Sequence, residues 1–420
     1  MTKQFSFFKK ENRGLIIVGI GAAFYFYECI LRVAPSVNSN EIINHFGLHA
    51  GNFSNLFAIY YYAYMPMQLL VGILVDRYGI HKLLTLASFF CTIGSYLFIC
   101  SDLLWVAQIG RLLVGFGSSF AFVSVLKLAS LWIEKEKIST VSGSIMSIGM
   151  IGASLGDMTV STISKNFGWQ YGQYFLIFIG VIITLAIHFK VKEKSELQIR
   201  EICFGQIFEN FKELVKNKLI WINGLIGCLM WLPLAIFAEA WGVKYLQDVH
   251  GFSNMLATDA VSTIFWGWAI GGPVFGLLSD RVKNRTLILS VCSLITAGIF
   301  LVITQITHPS FFFTCCALFL FGFFNSTQVL VFSLCKIISS NKYAGSTLSF
   351  TNMLVMTSGL IQPLTGLIIY YLIKNNHHIY SGYTNEVFLK AFLIIPISLL
   401  IAAVFSLYLK VSMSAKVQSP

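Results

Sequence analysis

Residues 72–84 read GILVDRYGIHKLL, and residues 276–288 read GLLSDRVKNRTLI. Each stretch opens on a glycine, places an Asp-Arg pair four residues on, and continues into basic side chains. Each follows a long apolar run, and the second copy begins about half a chain length after the first. One Asp-Arg pair in a loop is a weak signal. Two copies at matching places imply that the chain is built from two related halves in tandem, a pattern that parallel-repeat transporters share.

Composition says where such a chain must live. The protein has 420 residues, of which 56% are hydrophobic and only 11% charged, and its mean hydropathy is +0.75. A soluble fold has no interior large enough for that apolar content. Reading for runs of about 20 apolar residues, each enough to cross about 30 Å of hydrocarbon, gives twelve expected spans: 15–37, 54–75, 83–101, 103–130, 141–161, 171–189, 220–246, 257–278, 286–306, 309–338, 345–371 and 388–409. The expected fold is an all-α polytopic membrane protein of two pseudo-symmetric six-helix bundles, residues 1–189 and 220–420, joined by a linker at 190–219. The linker stretch GQIFENFKELVKN (205–217) predicts a short amphipathic helix on the membrane surface.

The net charge of +11 does not point to nucleic acid, because the lysines and arginines sit in short connectors and form no basic face with interleaved aromatics. They gather in alternate loops: Lys3, Lys9, Lys10 and Arg13, then Arg77 and Lys82, Lys135 and Lys137, Arg281, Lys283 and Arg285, Lys342, and finally Lys410 and Lys416. By the positive-inside rule these loops, and with them both termini, are expected in the cytoplasm of a cell whose inner membrane holds the protein. The basic N-terminus precedes an apolar stretch that lacks a small-residue cleavage site, so the stretch is expected to stay as the first span. The nine cysteines are scattered through apolar runs and read as small hydrophobes, Cys315 and Cys316 included. His377-His378 has no further ligand types nearby, so no metal and no cofactor are expected.

The two stretches carry a resemblance. Gly72, Asp76, Arg77, Gly79 and Lys82 fit the Gly-x-x-x-Asp-Arg-x-Gly-x-Arg/Lys loop motif of the major facilitator superfamily, and Gly276, Asp280, Arg281 and Arg285 fit its second copy, with Lys283 in place of the second glycine. In the fourth run, IGRLLVGFGSSFAF (109–122), Arg111, Gly115 and Gly117 are similar to the family's Arg-x-x-x-Gly-x-Gly pattern. The resemblance covers the whole chain. It implies the twelve-span major facilitator fold, often monomeric, and makes the loop motif a latch that holds the halves together on the cytoplasmic side. Gly72 would let helices approach closely, Asp76 would face the positive end of a helix, and Arg77 would bridge to acids across the loop. The fifth run, SIGMIGASLGD (147–157), has Gly149, Gly152 and Gly156 at helix-packing spacing and lacks the family's drug-antiporter Gly-Pro signature. LRVAPS (31–36) and residues 346–366 resemble the phagosomal nutrient transporters of intracellular bacteria, a branch linked to amino acid and nucleoside uptake.

Charges inside the spans are few, and each costs on the order of 2.5–3.5 kcal/mol at mid-membrane, so each needs a partner or a watery cavity. They are Glu28 and Arg32 in the first span, Arg111 and Lys127 in the fourth, Asp157 in the fifth, Glu239 in the seventh and Lys336 in the tenth. The resemblance puts the first, fourth, seventh and tenth spans around a central cavity. Glu28 and Arg32 are four residues apart on one helix face and are expected to pair. Lys127 and Lys336 lie near span ends and read as snorkelling, and Asp157 reads as a local cap or pair. Arg111 and Glu239 are too deep for either reading. The expected substrate site is Glu28, Arg32, Arg111 and Glu239 with Tyr27 and Trp241 as aromatic neighbours. Proton coupling is assigned to Glu239 or Glu28, with Glu239 preferred because an arginine one turn from Glu28 lowers its proton affinity. Of Tyr60, Tyr61, Tyr62 and Tyr64 only some can face the cavity. Asn325, Gln328, Asn352 and Gln362 read equally as interhelical glue or as ligands.

The expected function is secondary active transport of a small polar nutrient, an amino acid or similar zwitterion or carboxylate, by proton symport with alternating access. The partners are the small-molecule substrate, protons and the lipid bilayer. A drug or metabolite exporter working by proton antiport and a sugar or organic-anion carrier are the alternatives. Nothing suggests an enzyme: the sequence carries no P-loop, nucleophile elbow or catalytic metal spacing.

Overall fold

The structure, a computed structural model, describes residues 2–133, 138–191, 212, 214–282, 284–339, 344–375 and 383–418. Among them every regular element is helical. Eleven helices are long and apolar enough to cross a membrane: Gly14–Phe46, Ala50–Tyr78, Ile80–Ile99, Leu104–Trp132, Trp169–Lys190, Lys218–His250, Asn254–Val282, Arg285–Gln305, Phe311–Cys335, Gly345–Asn375 and Asn385–Met413. Between the fourth and sixth expected spans stands a further 30-residue helix, Ile138–Phe167, whose serines and glycines dilute its hydropathy. It packs against the first and eighth spans and takes the fifth place. Large apolar side chains such as Phe178, Leu277 and Val404 face outward, as a lipid environment requires. The expected surface helix at 205–217 and the His377-His378 pair lie largely outside the described residues.

Small residues let the helices close on one another. Gly149, Gly152 and Gly156 form a stripe seated on Tyr25, Phe26 and Ile30 of the first span. A Cβ at Gly115 would meet the backbone carbonyl of Tyr60 in the second span. Gly72 and Gly276 do not serve this purpose: nothing lies within 4 Å of a Cβ added to either, so close helix approach is not why glycine stands there. Gly79 is needed for another reason, since its φ of +87° makes the tight turn between the second and third spans. We expect Gly115→Leu to lower the melting temperature of the purified protein, overpacking costing about 1–3 kcal/mol. Gly72→Ala should leave it unchanged or raised, because alanine is the better helix former by about 1 kcal/mol.

The spans that carry the internal glutamates are both broken near a proline, and the freed carbonyls are both satisfied. In the first span, Pro35 has no N–H for the Leu31 carbonyl four residues back, and the helix gives way to a 3-10 turn at Ala34–Asn38. Arg111 fills the gap, its Nη1 donating to Leu31 O at 2.9 Å and its Nη2 to Arg32 O at 3.4 Å. In the seventh span, Pro233 frees the Leu229 carbonyl, which accepts from Ser398 Oγ at 3.2 Å. A π-helical stretch, Leu234–Trp241, follows and carries Glu239. Gln362 Nε2 donates to Ala235 O of that stretch at 2.5 Å.

The two halves meet most closely at the end of the molecule opposite the Asp-Arg motifs. There Lys244 Nζ donates to Asn40 Oδ1 at 2.6 Å, Asn254 Nδ2 to Val37 O at 2.9 Å, and Trp241 Nε1 to Ser54 Oγ at 2.8 Å. The His49 and Tyr370 rings lie 4.5 Å apart at the same end. At the motif end each aspartate is engaged within its own half, Asp76 with Lys127 at 2.7 Å and Asp280 with Arg285 at 3.0 Å. Lys127 thus reaches the span end, where its part-exposed head group meets the carboxylate of Asp76. Close packing of the halves at the end opposite the motifs is one arrangement expected of an alternating-access carrier with that end shut.

Candidate functional site

The buried charges converge where the two broken spans face each other. Arg32 and Glu239 form an ion pair between the halves, with Nε to Oε1 at 3.3 Å, and their side chains are 5% and 1% exposed. Tyr61 of the second span donates its hydroxyl to Glu239 Oε2 at 2.5 Å. Trp231, one helical turn before the π stretch, lies under the Arg32 guanidinium at 5.5 Å.

Glu28 does not pair with Arg32, contrary to the expectation from their spacing. Its Oε2 accepts from Tyr60 Oη at 3.2 Å and its Oε1 from Cys29 Sγ at 3.7 Å, and among the described residues no cationic nitrogen lies within 4.0 Å of it. The guanidinium is drawn instead across the interface to Glu239, where the π-helical turn presents a carboxylate. Tyr60, Tyr61 and Tyr64 are buried together, with Tyr60 5.1 Å from Tyr61 and 5.4 Å from Tyr64, while Tyr62 turns outward.

Other expected site residues sit elsewhere. Tyr27 points away from the cluster and donates to Leu176 O of the sixth span at 2.9 Å. Trp241 belongs to the closed end, bonded to Ser54 and edge-on to Phe53 at 5.2 Å. Arg111 is committed to the carbonyls at the end of the first span, and its guanidinium lies over Tyr60 at 5.2 Å. We expect Arg111→Lys to destabilise the purified protein by about 1–3 kcal/mol, since a lysine cannot span both carbonyls and leaves one of them unsatisfied; a thermal melt checks this. Asp157 does not pair locally either: it is fully buried and neither oxygen has a hydrogen-bond partner.

Asn352 and Gln362 act as glue. Asn352 Nδ2 reaches across the halves to Gln68 Oε1 at 2.8 Å, and Gln362 holds the π stretch. Asn325 and Gln328 are buried with no hydrogen-bond partner for either side chain, which leaves polar capacity in the tenth span for something else. Cys29 and Gln68 carried no signal in the sequence, because neither residue type is unusual in a span. Cys100 and Cys316 are exposed rather than buried.

The family model of the Major Facilitator Superfamily matches residues 15–363, and the chain belongs to that superfamily. It is a multi-pass membrane transporter by that membership. Among relatives, it is 23% identical to a probable sulfoacetate transporter of Cupriavidus necator over 371 residues, covering 83% of this chain and 85% of the relative. It is 22% identical to a probable galactarate/D-glucarate transporter of Escherichia coli over 293 residues, covering 62% and 65% respectively. Among solved structures, a bacterial homologue of the human lysosomal transporter Spinster, in an inward-facing and unoccupied conformation, superposes with a TM-score of 0.69 at 14% identity, over 94% of this chain and 95% of that one.

Proposed function

We propose that the protein carries a small carboxylate-bearing solute, an amino acid or similar zwitterion, across the bacterial inner membrane by proton symport, and that the Arg32–Glu239 pair is its substrate and coupling site. The observation that carries this reading is a buried guanidinium whose only ion-pair partner among the described residues is a carboxylate from the opposite half. An incoming carboxylate takes the guanidinium in a bidentate grip. Glu239 then loses its counter-charge in a buried setting, and taking a proton relieves it. One substrate and one proton therefore bind together, and neither the empty pair nor the doubly loaded site holds an unpaired charge. Glu28, on the same helix face, is placed to receive a substrate amine, or to hold the proton if Glu239 does not. Asn325 and Gln328 add neutral hydrogen-bonding groups.

In this reading the closed end faces the periplasm, the Asp-Arg motifs and both termini face the cytoplasm, and the state is inward-facing. What supports an unlatched motif is that each latch aspartate rests on a lysine or arginine of its own half. The protein works as a monomer, residues 1–189 and 220–420 rocking about the pair. An organic-anion carrier is the second reading, favoured by the relatives named for sulfoacetate and galactarate/D-glucarate. Uptake into proteoliposomes tests the choice: amino acids should compete with the labelled substrate under the first reading, and sulfonates or aldarates without an amine under the second.

A further inference from the structure

We propose that Asp157 and the buried oxygens around it form a sodium site at the closed end of the molecule, apart from the Arg32–Glu239 pair. Asp157 is 0% exposed, both of its carboxylate oxygens lack a hydrogen-bond partner, and among the described residues no cationic nitrogen lies within 4.0 Å of it. Lys165, the nearest basic residue on its own helix, is two turns away with its Nζ against Met255 Sδ. A buried carboxylate without a counter-ion is too costly to leave charged. Something positive must neutralise it.

The surroundings say what. Ser154 and Ser161 lie three residues before and four residues after Asp157, on the same helix face, and both hydroxyls are buried and unpartnered. Opposite them runs the eighth span, whose register is fixed by Ser147 Oγ on Ala269 O at 3.1 Å and Lys165 on Met255. That antiparallel register sets Ser262, another buried and unpartnered hydroxyl, level with Asp157. The 3-10 break of the first span packs on the fifth and carries Ser36 and Asn38, likewise buried with unpartnered side chains. A proton asks for one acceptor and would leave this set idle. One carboxylate with several neutral oxygens, beside an unwound helix end, suits a hard monovalent cation. The site lies between helices of both halves, so the cation would hold the closed end together.

The test reads binding and needs no substrate. Full-length protein in detergent is melted in NaCl, KCl and choline chloride at matched ionic strength and at two pH values. We expect a saturable rise of several degrees in Tm specific to sodium, lost in Asp157→Asn, and a several-fold weaker sodium midpoint in Ser262→Ala. Equal melting in the three salts overturns the proposal, as does a sodium shift that survives in Asp157→Asn. Should Asp157→Asn fail to fold, an unaltered sodium midpoint in Ser262→Ala overturns it. Stabilisation by acid alone, with no sodium effect, would make Asp157 a proton site and also overturns it. The result is independent of the carboxylate assignment at Arg32, which transport assays decide.

Discussion

Replacing Glu239 with glutamine should abolish accumulation of substrate against its gradient while leaving counterflow exchange intact. The side chain keeps its shape and can still accept from Tyr61, so the path stays open. What it loses is the ability to alternate between a carboxylate paired with Arg32 and a neutral acid beside an occupied Arg32. Proton-driven uptake should therefore fall to the equilibrium level, a loss of tenfold or more, each factor of ten corresponding to about 1.4 kcal/mol of driving force no longer coupled. Exchange across a membrane with substrate on both sides should be retained, because the grip at Arg32 is kept. Accumulation that persists in Glu239→Gln removes the coupling role from this residue and moves it to Glu28.

The second large effect is at Arg32. Arg32→Ala removes one member of a buried pair and strands the other, and truncations of that kind cost about 2–5 kcal/mol. A loss of affinity on the order of 100-fold for a carboxylate substrate follows. Arg32→Lys separates charge from geometry: lysine keeps the positive charge but presents a point instead of a planar fork and cannot stack on Trp231 in the same way. Its affinity should lie between wild type and alanine. An apparent affinity unchanged in both variants rules out a substrate grip at this position.

How much of this could be read from the residues differs from element to element. The spans were legible because hydrocarbon demands about 20 apolar residues in a row. The paired Asp-Arg stretches made the two halves legible, since topology alone does not repeat a motif. Glu28, Arg32, Arg111 and Glu239 were recognisable as special because charge is expensive in a membrane. Their partners were not. The spacing of Glu28 and Arg32 favours a pair within one helix, yet Arg32 turns to Glu239 because the π stretch after Pro233 rotates that carboxylate toward it, and helix periodicity contains no trace of a π turn. Arg111 looked like a substrate ligand; its actual bond is to the carbonyl that Pro35 frees, a tertiary consequence of a proline 76 positions away in sequence. Tyr61 became distinguishable from its neighbours only once the direction of the second span was fixed.

A carboxylate substrate must compete with Glu239 for Arg32, and one measurement addresses that directly. Reconstituted protein is given an inward proton gradient and a pool of labelled amino acids, organic acids, nucleosides and sugars, with and without a protonophore, in wild type and Arg32→Ala. Concentrative uptake of at least one carboxylate-bearing solute is expected, lost with the protonophore and lost in Arg32→Ala. Uptake confined to solutes without a carboxylate, or undiminished in Arg32→Ala, would contradict that competition.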